Sequence, residues 1–426
     1  MKKKLLILLP SLAATASMPL LSLVGCGCQP PSKEVKFSIA DKSTTSAYEA
    51  NIVLKWTKGH DLEFDPSSWS FTCASGEASN ISFDDTKGKL TLKFDEPQDD
   101  IVNGKLSFTY SDLTTEEAGI VVNIQNIFID APERKSFNIC DWQDVVNSCR
   151  EYENTHDPKA FLNNFYFGNA GSKDYPKTLE DFAGQQRTVY LDGLLEQNKY
   201  TVKVLGIGQD FTNPPHDCVG MTFQFDTPVG DTYGSPYEWN YEENNRVFWQ
   251  TPLCQNVLLG EGDQGLLTRI KSFGNNPKSV LLPVQRKVLI NGKEDMKPGN
   301  WFFMPVLGDI FSISGLMNSF DGATQTYIPE SMGEDFRGSN LEYTYYKEYV
   351  GGNNPLAQKD VIESANQFPC LIKKDHGNKP VNYWITTPYM KDTTSAFCID
   401  SKNGGKISTT IVINFADYYI APCFCI

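Results

Sequence analysis

The chain has 426 residues, with 38 Lys and Arg against 52 Asp and Glu and a formal net charge of −14. That acidic balance argues against nucleic-acid binding, which rests on a basic phosphate-contacting surface, and against electrostatic capture by anionic lipid heads. A content of 40% apolar and 12% aromatic residues suits real cores, and 32 Gly and 24 Pro beside eight Met point to short strands and turns in two or three domains.

At the N-terminus, Lys2, Lys3 and Lys4 form a basic start and Leu5 to Leu9 an apolar stretch ended by Pro10. The run closes on Leu23-Val24-Gly25-Cys26. A charged start, a short apolar core and a small residue at the cleavage point describe a secretory signal over residues 1–25. Leu-Val-Gly-Cys resembles the bacterial lipobox, which implies lipidation of Cys26. The protein is then expected to be exported and held by a lipid anchor on the outer face of the cell membrane. Pro10 and Pro19 interrupt the apolar run, which disfavours a spanning helix. A plain signal peptide is the alternative. Loss of residues 1–25 removes three lysines and no acid, leaving 35 basic and 52 acidic residues and a net charge of −17. Residues 26–34 then form a short tether.

From Val35 to Asp130 short alternating runs predict strands: Val35 to Ile39, Ala50 to Trp56, Trp69 to Cys73, Lys89 to Phe94, Gly104 to Tyr110 and Gly119 to Ile124. Turn-rich pieces at Lys58-Gly-His-Asp61, Asp84-Asp-Thr-Lys-Gly88 and Glu96-Pro-Gln-Asp-Asp100 separate them. Six or seven strands in this span predict an all-β immunoglobulin-like sandwich over residues 35–130. It is expected to serve as a stalk rather than as an adhesive surface.

Asp130-Ala-Pro-Glu-Arg134 marks a boundary. Asp141 is an N-cap candidate for a helix beginning at Trp142. Thr188 to Gly193 and Lys199 to Gly208 predict a hairpin, and Met221 to Asp226 another strand. Pro252 to Lys271 has apolar residues near helical spacing, weakened by Gly260 and Gly262. Trp301 to Ile313 is apolar enough to be core. The chain closes on Tyr419-Ile-Ala-Pro-Cys-Phe-Cys-Ile426, which predicts a strand inside the fold rather than a frayed tail. No period of 20–50 residues recurs.

The eleven cysteines contain no Cys-x-x-Cys pair, and His60, His156, His216 and His376 are scattered, so no metal site and no cofactor is expected. Apolar settings such as Phe397-Cys398-Ile399 favour free buried thiols over disulfides. Catalysis needs a nucleophile with a base, paired carboxylates or a metal cluster. There is no Gly-x-Ser-x-Gly elbow, no P-loop and no complete dinucleotide fingerprint. His216-Asp217-Cys218 is the best local nucleophile motif.

The order of pieces from Asp141 to Ile426 resembles an uncharacterised surface-protein domain of gut Firmicutes. Leu191-Asp192-Gly193 with Tyr200 to Gly206, Gly220 to Phe225 and Phe303 to Phe311 are similar to its successive strand and core blocks. Tyr383-Trp384-Ile-Thr-Thr-Pro388 and Tyr419 to Phe424 are similar to its Tyr-Trp-Leu-Arg-Ser-Pro and Gly-Val-Arg-Pro-Ala-Phe motifs, with Thr386 and Ala421 where the family has arginine. The ending is also similar to the C-type-lectin fold of variable proteins diversified by retroelements. The resemblance implies an α+β C-type-lectin-like domain over residues 131–426, with a variable segment at 383–421. It implies binding of a protein or glycan ligand at the cell surface through Thr386, Thr387, Tyr389, Lys391, Asp392, Thr393, Thr394, Ser395, Asn414, Asp417 and Tyr418, expected to be exposed. Tyr, Ser and Asn suit such contacts. The rival expectations are an exported enzyme using His216 and Cys218, and a structural envelope lipoprotein.

Overall fold

The computed structural model describes residues 34–74, 76–98, 102–130, 132–193, 197–211, 218–231, 235–237, 251–290, 293–305, 307–310, 343–350, 367–388, 394–411 and 417–426. The expected leader, Cys26 and most of the tether lie outside these. Among the described residues no helix is long and apolar enough to cross a membrane.

Period-two alternation between Phe37 and Ile129 places apolar side chains on one face of each strand. The strands are β1 (Phe37–Ser46), β2 (Glu49–Trp56), β3 (Leu62–Phe64), β4 (Ser70–Cys73), β5 (Gly76–Glu77), β6 (Asn80–Asp84), β7 (Lys89–Lys93), β8 (Val102–Asp112) and β9 (Glu117–Ile129). One antiparallel sheet has the order β1-β2-β7-β6; the other has β3-β8-β4-β5, with β9 also on β8. Ile52, Leu54, Leu90 and Leu92 from the first sheet meet Phe71, Leu106, Phe108, Ile127 and Ile129 from the second in one core. Trp69 stacks on Phe108 at 4.3 Å within it. In the β6–β7 turn the Asp84 carboxylate accepts from the Thr86 hydroxyl at 2.6 Å and the Lys87 N–H at 3.2 Å. This is the local chemistry that makes Asp a turn residue.

Beyond Asp130 come β10 (Lys135–Ser136), α1 (Trp142–Thr155), α2 (Lys159–Leu162), β11 (Phe165–Asn169) and β12 (Ser172–Asp174). Asp141 does take the N-cap position of α1, but its side chain makes no capping bond. Trp142 packs edge-on against Phe223 at 5.2 Å and lies under the buried Arg187, whose guanidinium sits 4.2 Å from the indole. The expected hairpin is β13 (Gln186–Asp192) with β14 (Gln197–Phe211), and β15 (Cys218–Phe225) pairs with β14 on the far side. The expectation for Pro252 to Lys271 resolves into a π-helical turn at Leu253–Leu258 and the short α3 (Leu266–Arg269), parted by the glycines. The hairpin β16 (Val284–Ile290) and β17 (Lys293–Asn300) follows, then α4 (Leu307–Ile310) and α5 (Thr344–Val350).

The last elements are β18 (Asn382–Pro388), β19 (Ser395–Asp400), β20 (Lys406–Ile411), β21 (Tyr418–Ile420) and β22 (Cys423–Cys425). They serve two four-stranded sheets: β13-β14-β15-β22, and β20-β19-β18-β21. β22 is bonded along both edges. β15 holds one; on the other, Leu282 N–H donates to the Cys425 carbonyl at 2.8 Å and Phe303 N–H to that of Cys423 at 3.0 Å. Phe424 packs against Trp142, Phe223, Phe225, Phe273 and Phe302. Gly220 makes room for Cys425 and Ile426. At φ +73° a Cβ there would lie 2.4 Å from the Ile426 carbonyl oxygen and 2.7 Å from Cys425 Sγ, so only glycine lets the strand dock. Cys149, Cys254, Cys398, Cys423 and Cys425 are buried.

Candidate functional site

The closing sheet determines where the sequence-expected contact residues stand. β19 runs antiparallel to β18, with Pro388 opposite Ala396, and β20 antiparallel to β19, with Ile411 opposite Ser395. The end of β18, the start of β19 and the end of β20 therefore meet at one end of the sheet. Thr386, Thr387, Thr394 and Ser395 belong to that end. Tyr389, Lys391, Asp392 and Thr393, which join β18 to β19, and Asn414 lie outside the described residues. β21 pairs in parallel with β18, Tyr418 opposite Asn382, which sets Asp417 and Tyr418 at the other end. The described members thus fall at two opposite ends of the sheet.

Four expectations of exposure are corrected by burial, Thr394 among them as a half-buried residue. Ser395 is buried, because it opens a strand flanked by β18 and β20. Thr386 is half-buried, and its hydroxyl donates to the carbonyls of Met304 at 2.9 Å and Pro305 at 3.0 Å. Tyr418 is half-buried, its ring 4.6 Å from that of Trp384, and burial raises its phenol above the ordinary value. Asp417 is exposed and pairs with Lys402 at 2.7 Å.

Beneath this sheet lies a fixed support. Trp384 is fully buried and its Nε1 donates to the Tyr237 carbonyl at 2.7 Å; Tyr237 N–H in turn donates to the Tyr418 carbonyl at 2.7 Å. Arg269, buried, donates to the carbonyls of Asp192 (3.0 Å), Gly230 (3.1 Å) and Asp231 (3.3 Å) and to the Tyr237 hydroxyl at 3.3 Å. The buried Ala421 offers its carbonyl to Gln224 Nε2 at 3.2 Å, and Gln224 Oε1 accepts from Tyr346 at 2.6 Å. Positions 386 and 421 are therefore packing positions in this chain.

Two sequence expectations remain to be located. Cys218 opens β15, paired with Phe211, while His216 and Asp217 lie outside the described residues. Among the described residues no group of three His, Cys, Asp or Glu side chains converges as metal ligands do.

One titratable cluster had no signal in the sequence, since its members are far apart along the chain. Lys203 on β14 and Lys373 both reach Asp226, just after β15, at 3.0 and 3.5 Å. Burial pushes the Asp226 carboxyl up, but the charges of Lys373 and Lys203 hold it below the ordinary carboxylate value. Burial pushes Lys203 down, yet Asp226 and Tyr345 leave it raised. Lys373 is buried. Burial lowers it to about 8, Asp226 opposes this, and Lys203 adds to it.

The lowered Lys373 ammonium has a measurable consequence. Between pH about 8 and its ordinary 10.5, the unfolded chain binds more protons at this residue than the folded chain, so the group's contribution to stability rises with pH there. Below pH 8 the cost of burying the charge is fully present. Relative to Lys373→Met, the wild type is expected to gain roughly 2–3 kcal/mol across that window in denaturant titrations. A constant difference would show that Lys373 titrates ordinarily.

Comparison with models of known families, with curated proteins and with solved structures finds no match.

Proposed function

We propose that the chain is an exported, lipid-anchored surface protein in which an immunoglobulin-like stalk carries a C-type-lectin-like head that binds a protein or glycan. The observation that carries this reading is the strand register. It gathers the end of β18, the start of β19 and the end of β20 at one sheet end, over a support of fully buried Trp384 and bonded Arg269. A rigid base with Thr, Tyr, Lys and Asn on the segments leaving it is the arrangement that adaptable contact surfaces need. Diversification of the segment 383–421 by a retroelement belongs to the same proposal; a near-copy of its codons beside a reverse transcriptase gene would support it.

The experiment begins with capture of a binder from immobilised glycans and surface proteins by the purified full chain. Thr387, Tyr389, Lys391, Thr393, Thr394 and Asn414 are then changed together to Ala. Capture is expected to fall by more than about 100-fold, since central contacts each contribute about 2 kcal/mol or more. The melting temperature should move by less than about 4 °C. Asp417→Ala, at the opposite sheet end, should retain capture. Undiminished capture by the combined variant, or an equal loss in Asp417→Ala, overturns the reading.

A further inference from the structure

Two lysines converge on a single carboxylate oxygen beside the start of β18. Lys203 Nζ lies 3.0 Å and Lys373 Nζ 3.5 Å from Asp226 Oδ1, while Asp226 Oδ2 accepts from Gln186 Nε2 at 2.9 Å. Lys203 also donates to the Tyr345 hydroxyl at 2.9 Å. The other titratable neighbours do not supply the balancing charge: burial raises the Cys370 thiol and the Tyr345 and Tyr383 phenols, keeping them neutral. Among the described residues two cations thus face one anion, in a chain whose overall charge is −14. Only 3% of the Lys373 side chain is exposed, and among the described residues its ammonium reaches one acceptor, at the outer limit of hydrogen bonding. A buried charge is ordinarily paired and hydrogen-bonded in full.

The cluster can be reached from solvent. The side chains of Lys203 and Asp226 are 14% and 21% exposed. Tyr345 links them to an exposed ring: Lys203 lies over the Tyr345 ring at 4.7 Å, and Tyr349, 54% exposed, lies against Tyr345 with ring centres 4.7 Å apart. Lysine is a compact point charge without arginine's two-pronged fork, so the pair suits one oxygen of an oxyanion. The exposed Tyr349 ring, joined to the pair through Tyr345, presents a flat apolar face with a polar rim. That combination fits a ring bearing both hydroxyls and a carboxylate.

We propose that Lys203 and Lys373 bind the carboxylate of an acidic sugar, with Tyr349 as the platform for its ring. Asp226 is the internal competitor: it occupies the lysine pair until the ligand carboxylate displaces or joins it. The site is separate from the contact surface proposed above. Lys373 N–H donates to Ser401 Oγ at 3.2 Å and its carbonyl accepts from Val381 N–H at 3.0 Å, at the sheet end opposite residues 386–395.

The test is calorimetric titration of the full chain with D-glucuronate, using D-glucose and sodium sulfate for comparison. Glucuronate should bind saturably and at least about ten-fold more tightly than glucose, the worth of one charge-assisted hydrogen bond. Lys203→Gln and Lys373→Met should each weaken it by about ten-fold or more. Asp226→Asn, which removes the competing charge, should tighten it by about ten-fold. Tyr349→Ala should weaken glucuronate and leave sulfate unchanged. If Lys373→Met does not fold by circular dichroism, the less buried Lys203→Gln and Asp226→Asn carry the test. Glucuronate binding no better than glucose, or unaltered by Asp226→Asn, overturns the proposal. Sulfate matching glucuronate in every variant overturns the sugar assignment.

Discussion

Deleting Cys423 to Ile426 is expected to abolish cooperative folding of the region that follows Asp130. Phe424 sits where rings from α1, β15, Phe273 and Phe302 meet, and truncating a buried Phe costs about 3–5 kcal/mol by itself. The deletion also orphans main-chain groups on both flanks: Met221, bonded twice to Ile426 at 2.8 and 3.1 Å, Leu282, bonded to Cys425 at 2.8 Å, and Phe303, bonded to Cys423 at 3.0 Å. Each buried group left unsatisfied costs about 1–3 kcal/mol. The total, about 7–17 kcal/mol, matches the roughly 5–15 kcal/mol that holds a domain together. Urea titration followed by circular dichroism checks this, with Phe424→Ala as the milder variant expected to lose about 3–5 kcal/mol. A truncated chain that unfolds cooperatively within about 2 kcal/mol of the full one would show β22 to be an accessory strand.

The position of that strand was legible because an apolar run with no polar interruption has few other ways to be satisfied. The same holds for β2, β7, β8 and β9, where alternation names the buried face. It fails for β3 and β6, which are too short or too polar to show a period. It also fails for the β16–β17 hairpin, whose second strand reads Lys293-Glu-Asp-Met-Lys-Pro-Gly-Asn300 and so looks like a loop. At the candidate site the sequence shows which residues are polar but not which strand lies beside them. Tyr418 and Ser395 sit in a polar run, yet parallel pairing brings Tyr418 beside Asn382 near Trp384, and two flanking strands enclose Ser395. The Lys203–Asp226–Lys373 cluster joins three positions that only tertiary folding brings together, so no spacing rule could expose it.

Trp384→Ala is expected to cost about 4–6 kcal/mol. Loss of a fully buried indole accounts for about 3–5 of this, and the stranded Tyr237 carbonyl, which accepts from Nε1 at 2.7 Å, adds about 1. Trp384→Phe separates the two terms. It keeps a ring against Tyr418 and loses the hydrogen bond, so it should cost about 1–3 kcal/mol. Chemical denaturation at neutral pH measures both. The consequence for binding follows from the register. Trp384 pairs with Cys398 and Ile420 near the middle of the sheet, between the two ends that carry Pro388 and Asn382. Trp384→Phe, while still folded, should therefore loosen the end that carries Pro388 and Ser395, weakening the proposed capture of a surface ligand by raising its dissociation rate rather than slowing its association. If Trp384→Ala costs less than about 1 kcal/mol, the indole is not the support, and the rigid base that the proposed contact surface needs must lie elsewhere in the sheet.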